Sequence, residues 1–157
     1  MAEVGQAEPR ARGARIVACA RAWIGTPYRH QASCKGAGTD CLGLLRGIWR
    51  ELLGAEPEAV PPYTSDWAEV GRGEDLLEAA RRHLDAIARA EAVPGDVLVL
   101  RMADGATAKH VGILARAPEG HETIVHAYSG HGVVESPLTP AWSRRVAGAF
   151  RFPDRRN

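Results

Sequence analysis

"GTDCLGLLRGIWRELLG", Gly38 to Gly54, carries the start, the period and the stop of one helix. Asp40 stands where a helix N-cap belongs, Leu42, Leu45, Ile48, Trp49 and Leu52 recur at helical spacing, and Gly54 stands where a C-cap belongs. The unusual residue is Cys41, in the first turn directly behind the cap. The thiolate is the nucleophilic form of cysteine, and the unpaired N–H groups and dipole at a helix N-terminus favour it. Cys41 is therefore a candidate nucleophile, set against the commoner role of a free cysteine as a small buried hydrophobe.

Upstream, Ile16, Val17, Ala20, Trp23 and Ile24 predict a helix from about Arg10 to Ile24, preceded by a loose tail over residues 1–9. "GTPY" (Gly25–Tyr28) ends it, because Pro27 cannot continue a helix and disfavours helical geometry at Thr26. Downstream, residues 55–90 read as an inserted section, loop-like at first and helical over Glu74–Leu84. "VPGDVLVLRM" is then a turn and a β-rich run. Four more strand candidates follow at 110–115, 123–128, 132–138 and 146–152. Helices first and an antiparallel meander of about five to six strands second make one α+β domain over residues 1–157.

A catalytic cysteine needs a base, and the base needs an orienting group. Of six histidines, His83 and His121 read as solvated, whereas His110 and His126 sit on successive strands around a turn near Pro118. A hairpin symmetric about Pro118 sets His110 opposite His126 on one face, close enough for one imidazole to fix the other's tautomer. The alternative is two histidines on a half-solvated face, and a one-residue slip would part them.

Composition bounds the rest. The chain has 157 residues, enough for a core without disulfide staples, and a net charge of +1, which gives no polyanion-binding footprint and no expectation of a nucleic-acid partner. Three cysteines allow no dense framework; a Cys34–Cys41 bridge is an alternative to a reduced chain. Cys19 reads as a mid-helix packing residue. No apolar run is long enough to span a membrane, and "MAEVGQAEPRARGAR" lacks the apolar stretch of a signal peptide, so the expectation is synthesis in the cytoplasm. Zinc held by Cys34, Cys41, His110 and His126 is a competing reading, although neither the cysteine nor the histidine spacing matches usual ligand patterns.

Cys41 in "TDCLGL", His110 in "KHVGIL" and His126 in "IVHAYSG", with "GTPY" before them and "VPGDVLVL" between, resemble the NlpC-type cell-wall peptidases over roughly residues 14–138. The resemblance implies a papain-like α+β fold with helices packed on the sheet, and hydrolysis of peptidoglycan stem peptides, most often at γ-D-glutamyl–diaminopimelate, without cofactor or metal. It assigns Cys41 as nucleophile, His110 as general base, His126 as the residue orienting it, Tyr28 as a support for the oxyanion and Asp40 as the residue preceding the nucleophile. The chain departs from the family pattern at His30–Ala32, where a glycine pair is usual, and at Leu42, where serine is common. "DCLGL" and "VHAYSGHGVVES" further resemble the phage-tail and gene-transfer-agent branch. That implies tail or baseplate partners and action at the wall during DNA delivery. A structural tail component that uses the fold for assembly or wall binding is the alternative.

Overall fold

The computed structural model describes residues 4–58, 74–103 and 105–154. Three helices precede most of the strands: α1 (Val4–Arg21), α2 (Cys41–Leu52) and α3 (Asp75–His83), with a two-stranded ribbon, β1 (Ser33–Cys34) and β2 (Gly38–Thr39), between α1 and α2. The main sheet follows as β3 (Asp85–Ile87), β4 (Val97–Arg101), β5 (Ala108–Arg116), β6 (Glu122–Tyr128), β7 (Gly132–Pro137) and β8 (Val146–Arg151). A one-turn helix, α4 (Pro140–Ser143), joins β7 to β8. The sheet is antiparallel in the order β3-β8-β4-β5-β6-β7, so the meander is interrupted: β8 returns across the sheet to lie between β3 and β4. The α+β class and the six-stranded sheet match the expectation; β3 is an additional edge strand of three residues.

Two other expectations, the bounds of α1 and the buried face of α2, are corrected. Helix α1 begins at Val4, inside the stretch read as a loose tail, and ends at Arg21, the chain continuing to Thr26 through tight turns. Of the 55–90 section, residues 59–73 lie outside the described residues, and α3 occupies the part read as helical. Helix α2 has the expected ends: Asp40 accepts a hydrogen bond from the Gly43 N–H at 2.8 Å, and Gly54 has φ +98°. Its buried face, however, is Gly43, Leu44, Gly47, Ile48 and Trp49, while Leu52 is 40% exposed. The rotation has a steric cause. A Cβ on Gly47 would collide with the Trp23 ring and one on Gly43 with the Ala32 carbonyl, so the helix docks through its two glycines rather than through a leucine stripe.

Both faces of the sheet are covered. Val97, Val99, Val111, Ile113, Val125 and Phe150 pack with Ile16, Val17, Trp23, Leu44 and Ile48 of the helical layer. Leu98, Leu100, Leu114, Ile124 and Ala149 form a second cluster on the opposite face, against Leu138, Trp142 and Ile87. Alternation along β4 and β5 therefore puts apolar residues on both sides, as a twice-covered strand requires. Full burial of one such side chain stabilises the fold by about 2 kcal/mol, so tertiary packing, not intrinsic propensity, holds α2 and its first turn in place. No helix among the described residues is long and apolar enough to cross a membrane.

Candidate active site

Cys41 is the first residue of α2, and its position is set by Asp40. The Asp40 carboxylate is 2% exposed and ties two segments together: Oδ1 accepts from Gly43 N–H at 2.8 Å and Oδ2 from Gln31 N–H at 2.7 Å. Gln31 lies in the departure from the family pattern and has φ +65°, a left-handed conformation that costs a non-glycine residue about 1 kcal/mol or more. The hydrogen bond to Asp40 holds that strained turn against the start of α2.

The Cys41 sulfur rests against the main chain of β5 on both sides of His110. It is 3.8 Å from the Lys109 carbonyl oxygen and within reach of the Val111 N–H. The geometry of the sheet makes this edge available. Leu114 hydrogen-bonds through its N–H and carbonyl to Asp96 and Gly95, so even-numbered residues of β5 turn their backbone groups toward β4 and odd-numbered ones toward β6. The β5–β6 ladder stops at Ile113↔Val125, and beyond it the sulfur lies against the backbone of Lys109 and Val111.

The N–H groups of Cys41 and Leu42 also point at the sulfur and favour its thiolate, as the helix-end argument expects. They are outweighed. Burial first, and the Asp40 charge second, push the Cys41 thiol up to about 12. At neutral pH the closed site holds a neutral thiol, so the proton must leave when the sulfur attacks.

His110 and His126 meet directly: His110 Nε2 and His126 Nδ1 are 2.7 Å apart, with ring centroids at 5.0 Å and a near-perpendicular arrangement. They are 6% and 1% exposed. Their cross-strand placement differs from the expected one. The hairpin turns about Glu119, not Pro118, because the five residues Ala117–His121 close it, with Ala117 N–H bonded to the His121 carbonyl and Gly120 at φ +102°. In the register Ile113↔Val125, His126 extends toward Gly112 and His110 toward Tyr128, so the histidines are diagonal neighbours on one face. Gly112 makes the diagonal contact feasible, since a Cβ there would lie 3.0 Å from His126 Cβ and 2.6 Å from Ile124 Cδ1.

Burial, with the proximity of His126 second, pushes His110 down to about 3; burial alone pushes His126 down to about 4. Both rings are neutral at neutral pH. Because His110 Nε2 is engaged by His126, Nδ1 is the ring nitrogen left to act as a base. His126 Nε2 in turn lies 3.1 Å from Ser136 Oγ.

Tyr28 forms an isolated bridge to Thr39 and packs, half-buried, at the edge of the core near Cys41. Burial, then the proximity of Cys41 and Asp40, pushes its phenol up to about 12, so it stays a neutral donor. Trp142 of α4 covers the histidine pair, with centroids 6.0 Å from His110 and 5.7 Å from His126; Tyr128 stacks on His126 at 5.6 Å. Gly112, Tyr128, Ser136 and Trp142 do not stand out in the sequence. Neither Ser136, in the non-alternating "GVVESP", nor Trp142 carries a signal in its own segment.

His131 stacks on Tyr128, at 5.3 Å, whereas Cys19, Cys34, His83 and His121 lie elsewhere. All three cysteines are free: Cys34 is exposed on β1, and Cys19 donates to Glu51 Oε2 at 2.9 Å. His83 pairs with Glu58 at 3.0 Å, and His121 is exposed. Among the described residues no three of His, Cys, Asp and Glu are grouped to hold a metal ion, which leaves the four-residue zinc reading without a site.

No family model matches the chain. A curated relative, described as a probable endopeptidase NlpC of Escherichia coli (strain K12), is 26% identical over 133 residues, 84% of this chain and 73% of that protein. Among solved structures, the NlpC/p60 domain of the peptidoglycan hydrolase SagA superposes with a TM-score of 0.55 at 26% identity, covering 89% of this chain and 98% of that one. An NLP/P60-family, lipoprotein-like protein of Staphylococcus aureus superposes with a TM-score of 0.59 at 19% identity over 92% of this chain, which spans 42% of that longer protein. The chain has the fold of the NlpC/P60 structures and is similar in sequence to a probable NlpC endopeptidase and to the NlpC/p60 domain of a peptidoglycan hydrolase.

Proposed function

We propose that this protein is a cysteine peptidase that hydrolyses an amide bond in peptidoglycan stem peptides, at the γ-D-glutamyl–diaminopimelate bond. The observation that carries the reading is the 2.7 Å His110–His126 contact beside the stretch of β5 whose backbone receives the Cys41 sulfur. The relatives described as an endopeptidase and a peptidoglycan hydrolase support the substrate class.

In this mechanism the Cys41 sulfur attacks the scissile carbonyl carbon as its proton passes to His110 Nδ1. His126 accepts a hydrogen bond from His110 Nε2–H and steadies the imidazolium that forms. The N–H groups of Cys41 and Leu42, unused within the helix and aimed at the sulfur, are placed to bind the developing oxyanion, with the Tyr28 hydroxyl beside them. One such donor typically lowers the barrier by about 3 kcal/mol. His110 then gives its proton to the departing amine; water, deprotonated by His110, releases the acyl group from the thioester and restores the thiol.

Carriage on a phage-like tail, with action at the wall or periplasm during DNA delivery, is part of the same proposal and rests on the resemblance of "DCLGL" and "VHAYSGHGVVES". Digestion of purified peptidoglycan, read by mass spectrometry of the released muropeptides, tests the reaction and names the bond. New amino termini on diaminopimelate are expected with the wild type and none with Cys41→Ala; wild type that releases no new termini overturns the reading. Tail-bearing particles that lack the protein should assemble yet fail to deliver DNA; particles that deliver normally overturn the delivery role.

A further inference from the structure

The histidine pair has two ways to share its protons, and only one serves a base. In the first, His110 Nε2–H donates to His126 Nδ1, and His110 Nδ1 keeps a free lone pair. In the second, His126 Nδ1–H donates to His110 Nε2, and His110 carries its proton on Nδ1, where it cannot accept one from Cys41. The 2.7 Å contact is compatible with both. The choice therefore falls to whatever engages the far nitrogen of His126, since the group bonded to one imidazole nitrogen sets the state of the other.

That group is Ser136. Its Oγ is 3.1 Å from His126 Nε2. Ser136 pairs with Ile124 on the neighbouring strand while His126 pairs with Val134, so the serine reaches the ring as a same-face diagonal neighbour. Its strand is held in place from the next residue: Glu135 binds Arg21 of α1 at 2.8 Å and Thr123 at 2.7 Å. Ser136 is only half-buried, so its hydroxyl can accept from His126 and turn its own proton to solvent. His126 is 1% exposed, and its Nε2–H would have no such outlet without the serine.

We propose that Ser136 is a positioning residue of this site: by accepting a hydrogen bond from His126 Nε2–H it holds both histidines in the Nε2–H form and leaves His110 Nδ1 free to take the Cys41 proton. The proposal rests on the peptidase reading for its purpose but not for its test, because proton positions can be read without substrate. Without Ser136, a buried Nε2–H loses its acceptor, whereas the alternative form leaves only a lone pair unmatched; burying an unpaired donor is the costlier state, enough to move such a balance roughly tenfold.

The test is two-bond proton–nitrogen correlation of the imidazoles in 15N-labelled full-length protein at neutral pH, for wild type, Ser136→Ala and Ser136→Thr. Site-resolved alkylation of Cys41 by iodoacetamide is followed in parallel by peptide mass spectrometry. Wild type should show both rings protonated on Nε2. Ser136→Ala should show His110 gaining the Nδ1–H signature and Cys41 alkylating several-fold more slowly, and Ser136→Thr should restore both. Wild type with His110 protonated on Nδ1, or Ser136→Ala with unchanged ring signals, overturns the proposal; the wild-type spectrum decides it even where the alanine variant folds poorly. A wild type with the expected spectrum that cuts no peptidoglycan would sink the proposed function and leave the role of Ser136 intact.

Discussion

Acid should unfold this protein through its histidine pair, in a pH range set by the site itself. In the folded state burial holds His110 at about 3 and His126 at about 4, against 6.5 for an exposed imidazole. The unfolded chain thus binds two protons that the folded chain refuses. Their contribution is fully present above about pH 6.5 and is lost as pH falls toward the folded values. Each proton costs about 1.4 kcal/mol of stability per pH unit, so the pair together should lower stability by roughly 2.7 kcal/mol per unit between about pH 6 and pH 4. Against a typical stability of about 5–15 kcal/mol, that is a large fraction within two pH units.

The assay is urea denaturation at a series of pH values for wild type and a His110→Asn/His126→Asn double variant. Paired carboxylates such as Glu135, held below their usual range by Arg21, are shared by both proteins, so the difference between the two curves isolates the pair. The wild-type stability should fall more steeply by about 2–3 kcal/mol per pH unit over that range. Parallel curves would refute the claim that both rings are buried neutral.

Other substitutions address single links in the structure. Gly112→Ala puts a Cβ against His126 and Ile124, and should cut activity at least tenfold while the protein still folds, as read by turnover and circular dichroism. Gly47→Ala drives a methyl group into the Trp23 ring and should cost about 1–3 kcal/mol in urea denaturation, with any activity loss following the loss of fold. Asp40→Asn removes the charge that helps hold the Cys41 thiol up, so the alkylation profile of Cys41 should shift to lower pH; a shift upward would show that Asp40 acts chiefly through helix geometry.

Much of this architecture is legible in the residue order, for reasons that name the limits as well. β4 to β8 show as apolar runs bounded by Pro, Gly or polar turns, and α2 shows through its cap and period. β3 does not, because three residues in the Ala- and Arg-rich "LDAIARA" pair at an edge that only β8 provides. Hydrophobic periodicity misplaces the buried face of α2 because it does not register glycines that allow close packing, and Gly43 and Gly47 are the ones that set the contact. The start of α1 does not show because its first residues carry no apolar pattern.

At the site, local logic found Cys41, His110 and His126, since each stands at a helix start or on a strand. The register between the histidines depended on one turn residue, and the expected turn centre was Pro118 where the structure centres it on Glu119. The net ionisation of Cys41 went the other way because helix-end reasoning counts the N–H groups but not burial or the charge of Asp40. Ser136 and Trp142 act across the fold, and nothing within their own segments announces it.

The central claim is that Cys41 itself forms the bond to substrate. Acid-quenching a digest of peptidoglycan stem peptides and mapping the protein by mass spectrometry tests it directly. A thioester-linked stem fragment is expected on the peptide that contains Cys41, present in the wild type and absent, together with all cleavage, in Cys41→Ala. Cleavage that persists in Cys41→Ala, or an acyl group found on Cys34 or Cys19 instead, would contradict it.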